Sequence, residues 1–194
     1  MAQTAKKYQK IYNYSDYTTW PDEERWEIIN GIPYCMTPAP HPSHQKFNGL
    51  LVSQFIAYFK DKTCEVYPAP FDVRFFDGEN EADGKIINIV QPDISIVCDK
   101  KKIDDRGCIG APDLIVEILS PSTAKKDFNE KYLLYEKYGV KEYWIADPAN
   151  KVIHLYKLNE ENRFELEKIF ERGEIIASCV FKGLNINLQE IFDK

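Results

Sequence analysis

The chain has no CxxC pair, no zinc-ligand spacing, no internal repeat and no low-complexity segment. It also has no apolar stretch long enough to span a membrane, and its first twenty residues carry no apolar core of the kind a secretory signal needs. These absences point away from a zinc module, a solenoid, a disulfide-stapled secreted domain and a membrane protein. The five cysteines, at 35, 64, 98, 108 and 179, are odd in number and widely spaced. They read as reduced structural thiols in a cytoplasmic protein. An excess of positive charge is lacking too: 25 Lys and Arg against 31 Asp and Glu leave a net charge of -6. That balance favours solubility and gives no global attraction to a polyanion, so any nucleic-acid contact has to be local. Ser120 and Ser122 have no His and Asp in a chain order that suggests a serine hydrolase.

What is present is a globular composition. Of 194 residues, 44% are hydrophobic and 13% aromatic, enough for a substantial core. We expect an arm over 1–19 and a single domain over 20–194. Asn30-Gly31 between short apolar runs predicts a hairpin, with Arg25, Glu27 and Ile29 on one face by period-two counting. Ser43 is a plausible cap for a helix over 44–59, and His44 would lie over the first turn of its buried stripe. Strands are expected over 64–76, 89–98 and 112–119, the last leading into a helix over 124–138 and a strand over 142–146. Strand, helix, strand with a right-handed crossover implies a parallel pair. Further strands follow over 152–158, 163–169 and 175–181. The fold class is α/β, bordering on α+β, with a mixed sheet.

Two apolar runs carry carboxylates. Asp93 opens Ile94-Ser95-Ile96-Val97, and Glu117 stands between Val116 and Ile118. A carboxylate there is costly unless it finds a strand end, a partner or a metal. One reading makes Asp93 a turn cap and pairs Glu117 with a cation. The other makes them a Mg²⁺ site, since that ion takes one or two carboxylates plus water and phosphate. On the helix over 124–138, Phe128, Lys131, Tyr135 and Tyr138 follow one inward stripe, with Asp127 one turn before Lys131. The lysine either serves chemistry or forms a local pair with Asp127. Glu27 is a further candidate metal ligand, and His44, Asp127 and Tyr135 are further site candidates.

Four stretches carry a family resemblance: Trp26-Glu27-Ile28-Ile29-Asn30-Gly31, Gln91-Pro92-Asp93-Ile94-Ser95, the run from Gly110 through Glu117 to Thr123, and the run from Gly139 to Pro148. Together they resemble the bacterial "putative restriction endonuclease" family, common in cyanobacteria, within the PD-(D/E)XK nuclease superfamily. The resemblance covers roughly 15–190. It implies a restriction endonuclease-like core, a central mixed sheet flanked by helices with extra antiparallel strands at both termini. It also implies Mg²⁺-dependent DNA cleavage, with Mn²⁺ as a substitute. A homodimer is a separate possibility, since the C-terminal aromatic strands offer edges that a partner could cover. The family pattern places metal-binding carboxylates on Asp93 and Glu117 and an additional acidic position on Glu27. The superfamily lysine falls on Leu119 here, so an ammonium in the site would have to come from Lys131. The alternative is an inactive nucleic-acid-binding or regulatory protein on the same fold.

Overall fold

The structure, a computed structural model, describes residues 10–21, 23–36, 41–78 and 82–193. The part of the expected arm over 1–9 lies outside those residues. A short helix α1 (Tyr14–Tyr17) is closed by a reciprocal capping box between Asn13 and Asp16. Strands β1 (Trp26–Ile29) and β2 (Ile32–Cys35) form the expected hairpin. Both turn residues are left-handed, Asn30 at φ 51° and Gly31 at φ 74°, as a two-residue type I′ hairpin requires. Helix α2 (Pro42–Phe59) begins earlier than the sequence suggests. His41 rather than Ser43 is its N-cap, and Pro42 fits the first turn, where no backbone donor is needed. Its inward stripe is Phe47, Leu51, Phe55 and Phe59, each nearly or fully buried.

The remaining strands are β3 (Glu65–Pro68), β4 (Val73–Phe75), β5 (Asn88–Val90), β6 (Ile94–Val97), β7 (Ile103–Asp104), β8 (Gly107–Ile109), β9 (Leu114–Ile118), β10 (Glu142–Asp147), β11 (Val152–Leu158), β12 (Phe164–Glu171), β13 (Ile175–Ala177) and β14 (Asn185–Asn187). Between β9 and β10 the chain is helical: α3 (Ala124–Lys126), a π-type turn over Asp127–Lys131, then α4 (Tyr132–Tyr138). Gly139, left-handed at φ 81°, ends it. Helix α5 (Leu188–Phe192) follows β14.

The mixed-sheet core is divided into two six-stranded sheets, ordered β2-β1-β5-β4-β8-β7 and β12-β11-β10-β9-β6-β3, with β13-β14 as a small third sheet. The parallel β9–β10 pair of the strand–helix–strand unit is present, with Glu117 opposite Ile145. Two expected strands are each broken into two. The run over 64–76 yields β3 and β4, and the run over 89–98 yields β5 and β6, with the members of each pair in different sheets. Prolines explain the breaks. Pro70 and Pro92 have no N–H for a ladder, so the chain leaves one sheet and joins the other there. Asp93 therefore stands at the crossing between the sheets.

The cysteine expectation is also corrected. Cys64 and Cys98 form a disulfide, while Cys108 and Cys179 are free thiols. The antiparallel β3–β6 register pairs Glu65 with Val97, so one step outward brings residues 64 and 98 face to face. Residue spacing cannot show that register. No helix among the described residues is long and apolar enough to cross a membrane.

One core cluster packs α2 against the β6-β9-β10-β11 face, with Phe55 and Trp144 ring centroids 5.4 Å apart. A second lies on the opposite face, where α4 contributes Leu134 and Tyr135 against Ile115, Tyr143 and Ile145. Fully burying a side chain of this size stabilises the fold by about 1.5–3 kcal/mol relative to leaving it exposed. These two clusters fix β9 from both sides and so fix where Glu117 points.

Candidate functional site

The site is built where three breaks in regular structure meet: the start of α2, the crossing before β6, and the end of β9. Leu114, Val116 and Ile118 pack toward α2, so alternation turns Ile115 and Glu117 toward the helix over 124–138. The side chain of Glu117 is almost fully buried. Its Oε1 accepts bonds from Lys131 Nζ at 2.8 Å and from the Tyr135 hydroxyl at 2.6 Å. Lys131 and Tyr135 are four apart on the helix and meet one acceptor, as the inward stripe predicted.

Glu27, fully buried on β1, completes the cage. Its Oε1 lies 2.7 Å from Lys131 Nζ and accepts the Gln91 N–H at 3.1 Å, while Oε2 accepts Lys126 Nζ at 2.8 Å. Asp127 Oδ1 stands 3.9 Å from Lys131 Nζ and is buried without a hydrogen-bond partner. Lys131 thus sits among three carboxylates, and the Asp127 contact is the weakest of the three. Asp93 Oδ2 accepts the Ile118 N–H at 2.7 Å and lies 3.3 Å from His44 Nε2. The same imidazole nitrogen is 3.1 Å from the Ile118 carbonyl, a pure acceptor, so Nε2 carries the proton. These side chains, Tyr135 excepted, line a cleft of about 660 Å³ together with Arg25, Gln91, Leu119, Ser120 and Thr123.

The charges in this cleft are strongly coupled. Burial pushes Glu117 up to about 8 in spite of Lys131, with Asp127, Asp93 and Glu27 adding to the rise. Burial likewise lifts Asp127 to about 6. For Glu27, burial is outweighed by Lys131 and Lys126, which hold its carboxyl below the usual range. Burial opposes the Lys131 ammonium, but Glu117 and Glu27 keep it charged well above its ordinary pKa. His44 is disfavoured as a cation by burial and raised on balance by its bond to Asp93. As pH falls, Glu117 therefore takes a proton before Asp127 does.

Every candidate taken from the sequence reaches this cleft or touches a residue that does. Asp113, on the same strand face as Glu117, is separate. It accepts the Cys98 N–H at 2.8 Å and pairs with Lys141 at 2.6 Å. Two participants were not singled out from the sequence. Arg25 shares the Glu27 face by simple alternation, which was the available signal. Lys126 precedes Asp127 but gains its inward direction from the π-type turn, which sequence spacing does not show. Among the described residues, no group of three or more His, Cys, Asp or Glu side chains is arranged to hold a metal ion.

Comparison with known proteins bears on this arrangement. An uncharacterized protein of Synechocystis sp. is 25% identical over 149 residues, covering 75% of this chain and 74% of that one. A crystal structure from Anabaena variabilis, described as a putative nuclease, superposes with a TM-score of 0.71 at 20% identity, covering 93% of this chain and 97% of the other. That likeness shows a common fold. The family model for Uma2, described as "Putative restriction endonuclease", matches residues 14–189. The chain therefore belongs to the Uma2 family, with restriction-endonuclease-like homology.

Proposed function

We propose that this protein is a metal-dependent endonuclease that hydrolyses phosphodiester bonds in DNA. The observation that carries the reading is the convergence of Glu27, Glu117 and Asp127 on Lys131, beside Asp93, in one open cleft. Four carboxylates face two ammonium groups there. The unpartnered Asp127 oxygen and the raised Glu117 mark a cluster with more negative charge than its partners balance. Such a donor set suits Mg²⁺, or Mn²⁺ in its place, because a hard cation held by two carboxylates leaves room for water and phosphate. Asp93 and Glu117 would hold the ion, which supplies a polarised phosphoryl oxygen and an activated water.

The chain's own residues do the rest. His44 and the Ile118 N–H orient Asp93, and Tyr135 fixes the Glu117 carboxylate. Lys131, kept charged by its carboxylates, offsets negative charge building on the phosphate. Both Glu27 oxygens engage ammonium groups, so its part in this reading is to hold Lys126 and Lys131 in place.

The test is cleavage of linear, nicked and supercoiled DNA with Mg²⁺ or Mn²⁺ by wild type, Asp93→Ala and Glu117→Ala. Divalent-dependent cleavage lost in both variants is expected. Cleavage unchanged in both would refute the assignment. A second reading, nucleic-acid binding without cleavage, is favoured by one observation: Leu119 stands at the cleft where the superfamily pattern has a lysine. Salt-dependent DNA binding with no cleavage under any divalent ion would select it.

A further inference from the structure

The cleft contains a cation that the carboxylate cluster leaves unused. Lys126 and Lys131 are both bonded to Glu27. Arg25, immediately before β1 and half-buried on the same cleft wall, is bonded to no carboxylate among the described residues. Its Nε and Nη2 instead donate to a single uncharged oxygen, Gln91 Oε1, at 2.9 and 2.8 Å.

Gln91 is built to present that oxygen. It is more than nine-tenths buried, and its Nε2 donates to Asp72 Oδ1 at 2.8 Å and to the Tyr17 hydroxyl at 3.3 Å. Arginine can only donate and an ionised carboxylate can only accept, so the amide has one satisfying orientation. The Gln91 backbone N–H donates to Glu27 Oε1 at 3.1 Å, which ties the same residue to the carboxylate cluster. Arg25 is therefore held along one edge of its guanidinium, with Nη1 and its two donors outside those bonds. A planar fork fixed in this way matches the oxygens of a phosphate, and its charge is not cancelled by a bonded partner.

We propose that Arg25 is a phosphate-binding residue, taking a non-bridging oxygen of the DNA phosphate next to the one under attack, with Gln91 as its positioning residue. The proposal rests on the reading of the cleft as a nuclease site. It also answers the charge problem of the chain. At a net charge of -6, attraction to DNA has to come from individual cations facing the groove that receives it.

The experiment is fluorescence anisotropy of a labelled DNA duplex with Ca²⁺, across about 50–200 mM salt. It compares wild type, Arg25→Gln, Arg25→Lys and Gln91→Leu, each first shown to be folded by circular dichroism. Arg25→Gln should weaken binding about tenfold and reduce the magnitude of the slope of log K against log salt by about 1. Arg25→Lys should keep the slope and lose part of the affinity, because an ammonium lacks the fork. Gln91→Leu should weaken binding with the slope kept, since the charge remains but its direction is lost. Wild-type binding with an unchanged affinity and slope in Arg25→Gln would overturn this proposal and leave the nuclease reading standing. No binding by wild type would overturn both.

Discussion

Replacing Lys131 with Met isolates the energetics of the buried cluster. The side chain keeps nearly its volume and loses its charge, so packing is held roughly constant. Two close ion pairs disappear, 2.7 Å to Glu27 and 2.8 Å to Glu117, all three groups being 5% exposed or less. Removing one partner of a buried pair costs about 3–5 kcal/mol, because the remaining charge stays buried. The two carboxylates share that cost unequally. Glu117 keeps the Tyr135 hydroxyl and, pushed up to about 8 already, can escape by taking a proton. Glu27 keeps Lys126 and the Gln91 N–H. The cost should therefore fall near the low end, about 3 kcal/mol at pH 7.5, or roughly 6–12 °C in Tm for a chain of this size. The pH dependence has a definite sign. Loss of the ammonium raises the folded-state pKa of both carboxylates, taking Glu117 still further above its unfolded value. Stability of the variant is then greatest below the unfolded pKa and is lost as pH rises through the folded one. The gap between wild type and variant should narrow from pH 8 to pH 5. Urea unfolding followed by circular dichroism at several pH values, with m-values compared, measures this directly. A cost under about 1 kcal/mol at pH 7.5, or a cost independent of pH, would refute the view that Lys131 neutralises a buried carboxylate cluster.

The Cys64–Cys98 disulfide spans 34 positions, so reduction or Cys64→Ser should lower stability by roughly 4 kcal/mol on a chain-entropy basis; alkylation of five thiols in the unreduced, unfolded protein would show that the bond does not form. Phe55→Ala removes a fully buried ring from against Trp144 and should cost about 3–5 kcal/mol, read from urea unfolding, with a value below 1 arguing against this packing. Gly31→Ala should destabilise by more than the roughly 1 kcal/mol of a left-handed φ, because the new Cβ would lie 2.3 Å from the Ile11 methyl carbon. Thermal melts of Gly31→Ala and of Gly31→Ala with Ile11→Ala separate the two causes, and equal melts for both would remove the steric one.

How much of this was legible in the sequence depends on the range of the interaction. Asn30-Gly31 specifies its own hairpin, and the crossover from β9 through the helix to β10 follows from apolar runs and one helical stripe. That stripe also places Lys131 and Tyr135 inward. Properties set by pairing between distant strands were hidden. The stretch over 89–98, apolar on both sides of Gln91-Pro92-Asp93, reads as one strand, although Pro92 passes the chain from one sheet to the other and thereby sets Asp93 at the cleft. The disulfide needed the β3–β6 register. Glu27 alternates on β1 like any solvated residue, and only the arrival of two lysines from a helix about a hundred residues later makes its burial affordable.

The π-type turn over Asp127–Lys131 has a consequence for how this helix tolerates change. Such a turn amounts to an extra residue in an otherwise α-helical path, which offsets the angular phase of the segment after it by roughly 100° relative to the segment before it. Lys126 and Asp127 belong to the first phase, Tyr135 to the second, with Lys131 at the junction. The Tyr143 hydroxyl, reaching across from β10, donates to the Asp127 carbonyl at 3.0 Å and so braces the junction from outside the helix. In a helix of uniform pitch Lys126 and Tyr135, nine residues apart, would point to opposite sides, and the offset brings both toward the carboxylate cluster. Shortening the turn by a single residue should consequently be more damaging than most substitutions within it, since the deletion reassigns a whole face at once.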